Sequence, residues 1–414
     1  MRPSAQFGSA QEILETLVSS EMSLKVLINW GRQNRFAGSK DRRKIRDIVY
    51  YCLRNKRYLL HRWSNKESKG DGRNLVLSFL YDHYHNDHLT DFNIFFGSRD
   101  FDLQLLSDTE RNILSNKSLK REAIREDPVK YSYPDFLDKS LKRSLGKDFS
   151  KIMELFLKRA SVFIRANKIK ISTKDLTSKL KAEGFEIEPQ IKNRDALKVL
   201  NASNKLKLSK LFSEGLFEFQ DLGSQQVVNN IVVKEGMSIL DFCAGGGGKS
   251  LALASHFSNN IELYAYDLNS SRLKPFKIRA KRACAKIKFL DDRMLFGKSF
   301  DAVIVDAPCS GSGTWRRDPF AKWNLTLYEI NKLTEIQYSI LNQVASYVNK
   351  RGVIFYITCS LLDEENGEVI SRFLKNNNDY CLEREQFISP LEGGDGFFLS
   401  VLKKINNSVD LFTF

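Results

Sequence analysis

MSILDFCAGGGGKSLALASHF, residues 237–257, decides the fold. Its first residues, MSILDFC, form an apolar run suited to a buried strand, and KSLALASHF carries a helical pattern. Between them stand Gly245, Gly246, Gly247 and Gly248. Glycine lets backbone approach a ligand closely, and a helix start offers unpaired N–H groups. The spacing is not that of a phosphate-binding GxxxxGK[ST] loop. Asp267 ends the next apolar run and is placed to accept hydrogen bonds from two ribose hydroxyls. The stretch therefore fits a nicotinamide cofactor, S-adenosylmethionine, or a tight turn with no ligand.

Outward from this point the pattern is regular. Strand-like runs are MSILDFC, IELYAYDL, KIKFLDD, FDAVIVDA and GVIFYIT, with GFFLSVLKK as a final strand. Helical stretches lie between them, including SRLKPFKIRAKRACA and a long one over 325–348. Alternating strands and helices predict a parallel sheet wound on both faces, with ligands outside the carboxyl ends of its strands. The fourth strand ends in VDAPCSGSGTWRRDP, the fifth in FYITCSLLDEENGE. With strand four beside strand one, and five beside four, the glycine loop, Asp306, Cys309 and Cys359 share one rim. A single cysteine there reads as core filler. Two at neighbouring strand ends beside a ligand loop point to chemistry.

Toward the amino end, QEILETLVSSEMSLKVLINW places Ile13, Leu14, Leu17, Leu24 and Leu27 on an inner helical stripe. DRRKIRDIVYYCLRNKRYLLHRW reads as a second, densely basic helix, and residues 75–125 as helical again. YDHYHNDH holds three of the five histidines, His83, His85 and His88, read as solvated or packed rather than metal-binding, since no cysteine lies nearby. Over 128–222 helix and strand alternate: PDFLDKSLKRSLG is a basic helix, SVFIRANKIKIS a strand, TKDLTSKLKAEGF a helix ending at Gly184. The division expected is 1–127 helical, 128–222 a small α+β domain, and 223–414 the α/β domain.

The chain has 414 residues, 42% of them hydrophobic, and a net charge of +15. That excludes a disordered chain and predicts attraction to a polyanion, nucleic acid first. No apolar run approaches the roughly 18 residues of a spanning helix, and the first residues lack a signal-peptide core. A cytoplasmic, monomeric protein with no membrane partner is expected. The six cysteines form no CxxC pair, so no metal is expected.

AGGGGKS, DAPCSG, ITCS with the following EEN, and FQDLGSQ at 219–225 resemble the Sun family (RsmB-like) of RNA 5-methylcytosine methyltransferases. The resemblance covers residue 130 or so to the end, and RFAGSKDR with its helices resembles a short NusB-like leader. It implies a Rossmann-like class I methyltransferase domain with a mostly parallel seven-stranded sheet, preceded by a small α+β RNA-binding domain and a helical NusB-like region. It also implies S-adenosylmethionine against Cys243, Ala244, Gly245, Gly246, Gly247, Gly248 and Lys249. Asp267 would sit on the ribose, and Asp291 near the adenine with Arg272. Asp306 would lie at the cytosine N3 edge, carrying a proton. Cys359 is the implied nucleophile, Cys309 assists release, and Lys249 is a nearby cation. Bacterial RsmB has alanine-proline where this chain reads Gly245-Gly246; both versions turn and expose N–H groups.

The implied substrate is ribosomal RNA of the small subunit, with transfer RNA second. Arg316, Arg317 and the basic residues of 163–170 are expected on its phosphates. A non-catalytic assembly factor would have lost a cysteine or Asp306, and a dehydrogenase would not explain two thiols at adjacent strand ends.

Overall fold

The computed structural model describes residues 1–19, 22–63, 71–84, 92–115, 121–191, 193–201, 203 and 205–405. By its contacts the chain divides into two units. One comprises Met1–Arg159 with Trp315–Thr326, the other Ala160–Thr314 with Leu327–Phe414. This grouping differs from the three-part division drawn from sequence: the helices over 127–156 fall with the helical region.

The first unit is helical. Its core gathers Phe7, Leu14, Ile45, Val49, Cys52, Leu75 and Leu80. Ile13, Leu14 and Leu17 are buried as expected, but Leu24 is exposed. The expected single helix is two, Pro3–Ser19 and Leu24–Gln33, and Ser23 caps the second by accepting from Lys25 N. Restarting the helix resets its phase and turns Leu24 outward. The basic helix is likewise split, into Ser39–Arg54 and Lys56–His61. At the break the Asn55 side chain donates to Tyr51 O, competing for a helical carbonyl. Of residues 75–125, helices cover Asp71–Tyr84 and Asp108–Ser115. His85 and His88 lie outside the described residues. His83 stacks on Phe79, ring centroids 4.1 Å apart.

The second unit holds two sheets. The smaller is antiparallel, in the order Ile187–Gln190, Asn193–Val199, Val162–Ala166, Phe217–Phe219. SVFIRANKIKIS is a strand only as far as Ala166. At Asn167 the chain turns, with Lys170 N and Ile171 N both donating to Asn167 O. The helix Thr173–Ala182 follows, and Gly184 lies beyond its end with φ +83°.

The larger sheet has seven strands: β1 Ser238–Asp241, β2 Glu262–Ala265, β3 Ile287–Phe289, β4 Phe300–Asp306, β5 Val348–Thr358, β6 Tyr380–Ile388 and β7 Phe397–Lys404. Their order is β6-β7-β5-β4-β1-β2-β3. β1 to β5 pair in parallel, and β7 is antiparallel to both β5 and β6. β4 lies between β1 and β5, as expected. Alternate residues serve opposite faces: Val303, Val305, Ile354 and Tyr356 pack on one side with Leu341 and Val344, while Ala302, Ile304, Phe355 and Ile357 pack on the other with Val227 and Leu253. Both faces being covered explains why these strands read as unbroken apolar runs. Among the described residues no helix is long and apolar enough to cross a membrane.

Candidate active site

β1 and β4 are neighbours whose connections leave in opposite directions, so a crevice opens beyond their carboxyl ends. A cleft of about 640 Å³ lies there, within the range of small-ligand sites. Cys243, Ala244, Gly245, Gly246, Gly248, Lys249, Asp267, Arg272, Asp306, Cys309 and Cys359 all line it. Two expected residues do not. Gly247 turns behind the loop, and the Asp291 side chain accepts from Met294 N, capping the short helix Asp292–Leu295.

The glycine loop is shaped by backbone demands. Gly247 has φ +78°, and a Cβ there would lie 2.1 Å from Phe276 ring carbons. Only glycine meets both conditions. Ala244 N donates to Tyr266 O, and Gly245 N donates to Asp267 Oδ2 at 2.8 Å. Asp267 Oδ1 accepts from Asn269 N, and Arg272 pairs with the same carboxylate at 3.2 Å. The smaller sheet grips this loop from outside. Gln220 Nε2 donates to Gly248 O and Ser224 Oγ, and Arg279, held by Glu218, donates to Gly246 O. Arg165, expected on phosphate, is buried and donates to Gln220 Oε1 at 2.7 Å. Arg316, expected likewise, is buried in the helical unit, with Nη2 donating to Arg159 O.

Behind the loop Asp241 is 1% exposed. Burial pushes its carboxyl up to about 7, although Ser250 donates to it at 2.5 Å. Lys249, the buried cation of the loop, reaches Asp306 Oδ2 at 2.6 Å.

On the far wall, Cys309 Sγ and Cys359 Sγ are 3.4 Å apart, and both are free thiols. The hydrogen bond to Cys359, then burial and the charges of Cys359 and Glu365, push the Cys309 thiol well above its ordinary range. Cys309 is thus held as a neutral S–H facing Cys359. The two loops are locked by Glu365, fully buried. Its carboxylate accepts from Ser310 N at 2.8 Å, from the Ser310 and Ser360 hydroxyls at 2.5 Å each, and from Gln337 Nε2 at 3.1 Å. Thr358 Oγ1 donates to Asn366 Oδ1, tying the end of β5 to the same turn. Among the acids after Cys359, Glu365 turns inward between the thiol loops. The EEN following ITCS was its only sequence signal. Tyr266, Leu268, Ile336 and Ile340, which give the cleft apolar walls, carried none.

The family model "16S rRNA methyltransferase RsmB/F" matches residues 229–407, and "Methyltr_RsmF/B-like, ferredoxin-like domain" matches 133–204. The chain is 30% identical to ribosomal RNA small subunit methyltransferase B of Photorhabdus laumondii, over 68% of this chain and 69% of that protein. It is also 30% identical to the probable ribosomal RNA small subunit methyltransferase B of Bacillus subtilis, over 70% and 72%. Among solved structures, PH0851 aligns over 98% of this chain and 99% of its own, with a TM-score of 0.72 and 21% identity. NSun6 from Pyrococcus horikoshii with SFG aligns over 67% and 100%, with a TM-score of 0.59 and 21% identity. With the glycine loop, the acid ending β2 and the paired thiols on one cleft, the chain belongs to the RsmB/F family of S-adenosylmethionine-dependent 16S rRNA methyltransferases.

Proposed function

We propose that this methyltransferase modifies carbon 5 of a cytidine in small-subunit ribosomal RNA, in the cytoplasm, through a transient bond from Cys359. The observation that carries the reading is the pair of thiols 3.4 Å apart on the cleft wall, opposite the glycine loop. The cleft fits the methyl donor: a carboxylate at the end of β2, a loop of small residues, and apolar walls. Residues 243–249 would hold that donor, with Asp267 toward the ribose. Once bound, it supplies an electrophilic methyl group.

Carbon 5 of cytosine is a weak nucleophile, and covalent catalysis divides the difficulty. The Cys359 thiolate forms a bond to carbon 6, and the displaced electron pair makes carbon 5 enamine-like. After carbon 5 has gained the methyl group and lost its proton to a base, the S–C6 bond breaks and the thiolate leaves. The neutral S–H of Cys309 donates to that departing sulfur. Asp306 faces the N3 edge, where charge builds during attack, and Lys249 pairs with it at 2.6 Å. The base must be flipped out of any stack to reach this wall.

The test uses two variants. Cys359→Ala is expected to abolish methyl transfer to small-subunit RNA while S-adenosylmethionine still binds. Cys309→Ala is expected to accumulate a protein–RNA adduct that survives denaturing gels. Full activity in the first, or a folded second variant with no adduct, overturns the assignment.

A further inference from the structure

The helical unit contains a second cleft, of about 500 Å³. On one face of the helix Ser39–Arg54, Lys40, Arg43, Lys44 and Arg54 recur at helical spacing; Lys158 and Arg159, beyond the helix Phe149–Phe156, face the same space. Among the described residues lining it, Asp47 is the one acid, and Arg159 at 3.3 Å takes it up. Tyr51, Phe79 and His83 add aromatic rings to the lining.

Arg54 shows what the cleft lacks. It is 6% exposed, and Nη1 donates to Arg316 O at 3.1 Å. Its Nε is buried with no hydrogen-bond partner among the described residues. Burial, then the charge of Arg159, lowers the guanidinium to about 10, so it is still a cation at neutral pH. A buried cation beside other cations, with an N–H unmet, is destabilised until an anion arrives. The forked guanidinium suits phosphate oxygens.

We propose that this cleft binds a phosphodiester of the RNA substrate, with Arg54 at its floor and Lys40, Arg43, Lys158 and Arg159 around its rim. The proposal rests on the reading that RNA is the substrate, and it places one RNA contact outside the methyl-transfer cleft.

The experiment compares the full chain with the exposed double variant Lys40→Glu/Arg43→Glu, and with Arg54→Met. One probe is a labelled single-stranded RNA of about a dozen nucleotides, followed across salt concentrations. The other is inorganic phosphate, read as a gain in Tm. S-adenosylmethionine affinity controls for folding. The double variant should bind RNA about tenfold more weakly or worse, with the slope of log K against log salt reduced by about two. Arg54→Met should lose the phosphate-dependent gain in Tm. Unchanged RNA affinity and slope overturn the proposal. Loss of the phosphate effect alone, with RNA binding intact, also overturns it and assigns the cleft to a free phosphate. A wild-type chain that transfers no methyl group, yet loses RNA binding in the double variant, sinks the proposed function and supports this site.

Discussion

The two walls of the methyl-transfer cleft are built by different means. The glycine loop is set by backbone: a left-handed turn at Gly247, and N–H groups accepted by Tyr266 O and Asp267. The thiol wall is set by side chains, with one buried carboxylate gathering donors from both cysteine loops. The first has no room for an added carbon at Gly247. The second depends on the charge and the donors gathered at Glu365. A mobile cofactor needs a surface that backbone can approach, whereas two sulfurs that must stay in register need a fixed frame.

The largest effect that tests this contrast is at Gly247. Gly247→Ala meets both the positive φ and the Phe276 ring, and should cost about 3 kcal/mol of stability with it. Gly246→Ala, whose Cβ would meet only Arg279 Nη1 at 3.5 Å, should cost under about 1 kcal/mol. Denaturant melts and calorimetric titration with S-adenosylmethionine read both; equal effects would break the backbone account. Glu365→Gln, of equal volume, should lower the methylation rate about 10- to 100-fold and leave cofactor affinity within about twofold. Because the Glu365 charge helps raise the Cys309 thiol, its alkaline limb should move to lower pH. An unmoved pH profile would reduce Glu365 to a packing role.

Asp241 sharpens the comparison through pH. Its folded carboxyl is raised to about 7, so its stabilising contribution is complete below the unfolded value of about 4 and fades as pH climbs through 7. Thermal melts should show Asp241→Asn gaining on the parent chain between these limits, then holding level; a constant difference would refute it. The smallest effect is at Asp291. Asp291→Ala should lose about 1 kcal/mol from an uncapped helix and change cofactor affinity by less than about twofold. A tenfold loss would support the adenine contact that the family resemblance implied.

The parallel core was legible because both faces of β1, β4 and the carboxyl half of β5 are buried, which leaves apolar runs such as FDAVIVDA. β6 was missed: its burial is confined to Tyr380 and Ile388 at its ends, so no alternation marks it. Ile187–Gln190 and Phe217–Phe219 are too short for a period to register. Helix ends were misjudged where a small polar side chain broke an apolar pattern: Ser23 caps the start of a new helix, and Asn55 ends one. At the site, Cys309 and Cys359 were readable because strand ends converge by topology alone. Glu365 was not, since acids after a cysteine look the same whether they face solvent or fold inward.

Gly313 has a consequence for how this pocket can be altered. Its N–H donates to Cys359 O, its carbonyl accepts from Gly396 N, and a Cβ on it would lie 2.2 Å from Gly396 O. The loop bearing Cys309 is therefore clamped between the end of β5 and the entry to β7, with no spare width. Ile336, Ile340 and Gln343, on the helix Leu327–Ala345, line the cleft without such a clamp. A laboratory wishing to admit a bulkier donor should enlarge that helical side and leave the glycine seam alone.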